Sequence, residues 1–145
     1  MPDANALTDM AQALQTQGVL PAGARWTAMR GGRTNRLWRV SPGTGDGEAL
    51  VVKLYDRGVA NPMFPNDPQA EARTLRHLAG HAVAPDPRAL VETPAGPCLV
   101  YGYVPGVAWQ GDPAPVARLL RRLHRLPGPG WRLDRAAPFA VTEAE

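Results

Sequence analysis

Residues 49–55 read Ala-Leu-Val-Val-Lys-Leu-Tyr, a run that is apolar at neighbouring as well as alternate positions and is broken only by Lys53. A strand with one wetted face alternates apolar with polar, whereas a run apolar on both faces belongs in the middle of a sheet. The interruption is as informative as the run. Of the 16 basic residues Lys53 is the only Lys, the rest being Arg. Arg presents a wide planar fork, while Lys places a point charge on a slim stem, so the two are not equivalent beside phosphate. Two readings of Lys53 stand: its stem packs on the sheet while the amine snorkels to water, or the position requires a compact ammonium.

The remaining elements follow from periodicity and punctuation. Leu7, Met10, Ala11 and Leu14 recur at helical spacing, with Gly18 where a C-terminal cap belongs. Residues 26–30 and 36–40 read as short strands joined by Gly31-Gly32-Arg33-Thr34-Asn35, either an ordinary hairpin turn or one whose glycines admit a close backbone approach. After a loop over 56–66, Asp67 stands as an N-cap with Pro68 in the first helical position, and the helix runs to Leu78 or Ala79 with Gly80 as its stop. Glu71, Thr74, Leu75 and Leu78 share a face, so Glu71 leaves from the same stripe as core leucines; it lies at the stripe's edge and reaches water, or it has a partner. Residues 89–92 and 98–103 predict a hairpin closed by Thr93-Pro94-Ala95-Gly96-Pro97, and Val104-Pro105-Gly106 ends it. Asp112 and Pro113 open a last helix, with Val116, Leu119, Leu120 and Leu123 opposite a solvated face of Arg118, Arg121, Arg122 and Arg125. His124 is expected in a core or surface role.

A length of 145 residues predicts one domain with a real core, short for an enzyme that closes two lobes over its substrates. The formal charge of +3 comes from arginines scattered along the chain, with no basic block interleaved with aromatics, which argues against nucleic acid as a partner. Cys98, the single cysteine, excludes an internal disulfide and a multi-Cys zinc site and suits a reducing compartment. The first residues lack a basic n-region and no apolar run is long enough to span a bilayer, so a cytoplasmic protein without membrane partners is expected.

In order, the chain is strand, glycine turn, strand, strand with a lysine, helix with an inward glutamate, two strands, break, helix. This resembles the N-terminal lobe of a kinase, in which such a lysine meets phosphates, a helix glutamate holds it and the glycine turn covers the phosphates. The wording narrows the resemblance. Gly31-Gly32-Arg33-Thr34-Asn35 and Val51-Val52-Lys53-Leu54-Tyr55 resemble the glycine turn and lysine strand of choline kinases and related bacterial kinases. Gln69-Ala70-Glu71-Ala72, Ala84-Pro85 and residues 99–106 (Leu-Val-Tyr-Gly-Tyr-Val-Pro-Gly) resemble the helix, loop and hinge of the aminoglycoside phosphotransferase family. The likeness covers residues 24–126, and its specificity lies in the ordered set.

The resemblance implies an α+β fold with an antiparallel sheet of about five strands and a nucleotide cleft. Backbone of Gly31, Gly32, Arg33, Thr34 and Asn35 would meet the phosphates of ATP, with Thr34 and Asn35 adding side-chain donors. Lys53 would bind phosphate and Glu71 orient it; Val51 would line the base pocket, and the Gly102 carbonyl and Val104 amide would face adenine. The expected organisation is an N-terminal helix over 1–20, the nucleotide-binding lobe with its hinge over 24–106, an amphipathic helix over 107–126 and a linker or tail over 127–145. The family's later catalytic loop, His-Gly-Asp or similar followed by Asn, and its further metal-binding Asp have no counterpart here. Gln110-Gly111-Asp112 opens a helix, and neither His124 nor Asp134 has a downstream Asn. No catalytic or metal residue is therefore assigned, and Mg²⁺ and a small-molecule acceptor such as choline, thiamine or an aminoglycoside are expected only together with a C-terminal lobe. That lobe would pack on an apolar surface formed by the hinge and residues 116–123. The rival reading is a truncated, non-catalytic kinase-like module for binding or interaction.

Overall fold

A computed structural model describes residues 4–30, 34–56, 58 and 65–128. Gly31, Gly32 and Arg33 of the glycine turn, and Asp134 with the rest of 129–145, lie outside the described residues. The described chain forms α1 (Ala4–Thr16), β1 (Arg25–Ala28), β2 (Arg36–Ser41), β3 (Leu50–Leu54), α2 (Pro68–Leu78), β4 (Pro87–Thr93), β5 (Gly96–Gly102) and α3 (Pro113–His124). The strands make one antiparallel sheet in the order β1-β2-β3-β5-β4. This is the α+β fold expected, and it matches a kinase-like N-terminal lobe. The apolar run is indeed the central strand: β3 lies between β2 and β5, with Lys53 opposite Leu37 on one side and Leu99 on the other.

Because side chains alternate across a strand, β3 serves two cores. Val52 and Leu54 point to one face, where Trp38, Val40, Val91, Cys98 and Val100 join Met10 and Leu14 of α1. Tyr55 points to the other, where Leu99 joins Ala72 and Leu75 of α2. The two helices therefore cover opposite faces, which is why β3 needs apolar residues on both. Cys98 is fully buried among them as a core residue, and burial pushes its thiol up to about 11.

Local chemistry sets the boundaries. Asp67 accepts from the backbone N–H groups of Gln69 and Ala70 at 2.8 and 3.1 Å, and Pro68 follows in the position where a missing N–H costs nothing. Gly80 takes a φ of +78° just past the C-terminus, a conformation open to glycine at low cost. Three expectations are corrected. The first strand ends at Ala28, two residues early, although the Met29 amide still reaches the Leu37 carbonyl at 2.9 Å. The hairpin of β4 and β5 is tighter than its five-residue turn motif: Thr93 pairs with Gly96, leaving Pro94 and Ala95 between, and Gly96 at φ +130° sits where a Cβ would come 3.1 Å from the Tyr55 carbonyl. Thr74 is exposed and returns its hydroxyl to the Ala70 carbonyl, so the buried stripe of α2 runs through Ala72 and Leu75.

α3 lies largely free of the sheet. None of its residues is buried, and Val116, Leu119, Leu120 and Leu123 remain exposed together with Val104, Val107 and Trp109 of the preceding segment. Its arginine face is not purely solvated, since Arg122 donates to the carbonyls of His81 and Ala82 at 2.8 and 3.2 Å. No described helix is long and apolar enough to cross a membrane.

Candidate functional site

The face of the sheet under α2 carries the polar groups. Residues 51, 53 and 55 share that face, and α2 lays Glu71 across the strand's last part. Lys53 Nζ lies 2.5 Å from Glu71 Oε2, with the two side chains 18% and 36% exposed. Glu71 is thus at the edge of the helix stripe and partnered, which joins both of its sequence readings. The ammonium keeps access to solvent, and so to a ligand.

A third member joins the pair. The hydroxyl of Tyr55 donates to the same Glu71 oxygen at 2.5 Å, and the Lys53 ammonium sits 4.8 Å from the centre of the Tyr55 ring. Tyr55 is buried, and that burial, followed by its bond to a carboxylate and the nearby negative charge, raises its pKa far above the ordinary phenol value, so it remains a proton donor.

Beyond this cluster a cleft of about 590 Å³ opens between the sheet and the hinge segment. Its lining is mostly apolar: Val51 and Tyr101 form the floor, Gly102, Tyr103 and Val104 one wall, and Met29, residues 82–85 and Leu119 the remainder. Val51 and Tyr101 pair directly across β3 and β5, so Lys53 lies two residues along the strand from the cleft floor. The Tyr101 hydroxyl is pushed up to about 12 by burial, with the negative charge of Glu71 adding to the effect. Arg39 stacks over the Tyr103 ring, its guanidinium carbon 4.4 Å from the centre.

The hinge backbone is partly committed. The Gly102 amide donates to the Asp86 carbonyl and the Tyr103 amide to that of Ala49, both at 2.9 Å. Val104 stands past the last strand pair and is exposed, and among the described residues no backbone acceptor takes its amide. Gly102 has the Glu48 carboxylate close by, where a Cβ would come within 3.0 Å of Oε1; Glu48 is itself paired with Arg88.

Of the residues expected at the site, Val51, Gly102 and Val104 line one cleft and Lys53 and Glu71 meet beside it. Thr34 is partly buried in the bend that precedes β2. Asn35 is buried and spends its side chain inside the protein: Nδ2 donates to Asn66 Oδ1 at 2.7 Å, and Oδ1 accepts from the Asp56 amide and from Asn66 Nδ2, each at 3.1 Å. Sequence reasoning missed Tyr55, Tyr101, Asn66 and Leu119. Tyr55 carried a signal, since it lies two residues from Lys53 along the same apolar run, whereas Tyr101 reaches the site through its pairing opposite Val51 on a neighbouring strand. Asn66 and Leu119 depend on tertiary contacts that no spacing marks.

The sequence of residues 25–145 matches the model of the phosphotransferase enzyme family, which includes choline kinases and aminoglycoside phosphotransferases. Comparison with curated proteins finds no match. The family match spans most of the chain, and the chain belongs to the phosphotransferase enzyme family.

Proposed function

Starting from that membership, we propose that the cleft binds the nucleotide of an ATP-dependent phosphotransfer to a small hydroxylated acceptor. The carrying observation is the contact of Lys53 with Glu71 beside an apolar cleft that ends at Val104, whose amide meets no backbone acceptor among the described residues. An adenine ring needs a flat apolar slot with a few backbone partners, and the cleft offers Val51 and the 102–104 backbone. A triphosphate needs a cation that is neither neutralised by solvent nor lost when the ligand leaves. Lys53, held by Glu71 and still partly exposed, meets both needs. Thr34 and the glycine turn before it are assigned to cover the phosphates.

Among the described residues none is assigned to Mg²⁺. Glu71 already accepts from Lys53 and Tyr55, and among the described residues no group of three or more His, Cys, Asp or Glu side chains is arranged to hold a metal ion. No step is assigned to a metal on this chain. The acceptor belongs to the class of choline, thiamine or an aminoglycoside, and no residue described here selects among them. Titration of the chain with ATP and with adenosine, followed by amide chemical shifts, tests the reading. ATP should bind more tightly than adenosine, and Lys53→Met should remove about tenfold of the ATP affinity while sparing adenosine. Equal ATP binding by the wild type and the Lys53 variant sinks the proposal.

A further inference from the structure

Glu71 has a weakness that its contact with Lys53 does not cure. Its side chain is 36% exposed, and a carboxylate on a flexible stem turns to water readily once an anionic ligand competes for the ammonium. Lys53 would then lose its orienting partner at the moment the partner is needed. The fold supplies a second hold on the same oxygen. Tyr55 donates its hydroxyl to Glu71 Oε2 at 2.5 Å and presents its ring to the Lys53 ammonium at 4.8 Å. Unlike Glu71, Tyr55 cannot drift: it is 3% exposed and packed with Ala72, Leu75 and Leu99. Its backbone is fixed too, because the Tyr55 amide donates to the Pro97 carbonyl at 2.9 Å.

We propose that Tyr55 is a positioning residue of the phosphate-binding pair: its hydroxyl anchors Glu71 and its ring supports the ammonium, so that Lys53 stays aimed when an anion arrives. This rests on the nucleotide reading above. The hydroxyl should matter only for the phosphate-dependent part of binding, because Tyr55 does not line the cleft. Tyr55→Phe isolates that role, since it keeps the ring and the core packing and removes one oxygen.

The experiment is the same titration of the whole chain with ATP and adenosine, for wild type, Tyr55→Phe, Lys53→Met and the double variant, with melting temperatures alongside. Tyr55→Phe should weaken ATP about fivefold, leave adenosine unchanged and make no further difference in the Lys53→Met background. ATP affinity equal to wild type overturns the inference. So does a parallel loss for adenosine, or an undiminished loss in the Lys53→Met background, either of which marks a purely structural residue. Wild-type chain that binds ATP no better than adenosine, or indifference of ATP to Lys53→Met, removes the nucleotide reading and the inference with it. If Tyr55→Phe fails to fold, the Tyr55 hydroxyl proton of the wild type decides by NMR. Persistent protection from exchange in saturating ATP is expected, and exchange at the solvent rate on adding ATP overturns the anchor.

Discussion

Asn35 and Asn66 show how much of this lobe is held by single side chains. Asn35 is the one buried polar residue among those described, and its amide closes a reciprocal pair with Asn66, which also donates to the Asp56 carbonyl at 2.9 Å. The set ties the start of β2 to the end of β3 and to the residue before the α2 cap, around the Lys53 strand. Asn35→Ala should cost about 1–3 kcal/mol in urea unfolding, because it leaves the part-buried Asn66 amide and the Asp56 N–H without their partner. Asn66 has a φ of +49°, so two terms separate there. Asn66→Gly loses the hydrogen bonds but keeps the conformation, whereas Asn66→Ala loses both and should be about 1 kcal/mol less stable than the glycine variant. Equal stabilities would show that the backbone relaxes out of the left-handed region. Such a pin was not legible in the sequence, since two asparagines 31 residues apart carry no period. Lys53 and Glu71 were legible for the opposite reason: each breaks an apolar pattern that is otherwise regular, and a charge inside a pattern calls for a partner. Tyr55 hid because it completes its pattern; its hydroxyl is the only part that departs from a core aromatic.

At the scale of elements, starts were more legible than ends or neighbours. Asp67-Pro68 and Asp112-Pro113 mark both N-termini because capping is a local exchange of hydrogen bonds. Strand limits depend on a partner strand, so β1 stops at Ala28 where its ladder with β2 runs out opposite Trp38. The placing of β5 between β3 and β4 is likewise a matter of which apolar faces meet, and the order of strands along the chain does not contain it. The α2 cap has a consequence for the site. Glu71 lies in the first turn of α2, and its amide bonds to the Asp67 carbonyl at 3.2 Å. Fraying of that turn would carry the carboxylate away from Lys53. Asp67→Ala should lower stability by about 1 kcal/mol in chemical denaturation and Asp67→Asn by less, since Asn is as good a cap. The same Asp67→Ala variant should show faster amide exchange at residues 69–71 than in the β3 strand. Uniform exchange across both would mean that the cap does not control the turn locally.

On the scale of the whole molecule, the sheet side of the cleft is packed, while α3, which lends Leu119 to its lining, keeps its own apolar side chains exposed. The apolar stripe of α3 was legible from spacing, but periodicity shows only that a helix has a face to cover, not what covers it; here that face stays exposed, as does Trp109 at 70%. The chemistry divides in the same way. Phosphoryl transfer works by positioning the acceptor hydroxyl and by neutralising charge as it builds on the transferred group. Lys53 can serve part of the second task, but the 145 residues contain no His-Gly-Asp followed by Asn. The carboxylate beside Lys53 is Glu71, already holding two donors. Asp112 spends its Oδ1 on the Ala114 amide at 2.9 Å, as a cap does. The chain should therefore bind ATP without transferring its phosphate. The check is incubation of the purified 145-residue chain with Mg-ATP and choline, ethanolamine, thiamine or aminoglycosides, with phosphorylated product measured directly. No product above the uncatalysed background is expected. Turnover lost on Lys53→Ala would instead reveal a catalytic carboxylate within these residues, and Asp112→Asn and Asp134→Asn would then identify it.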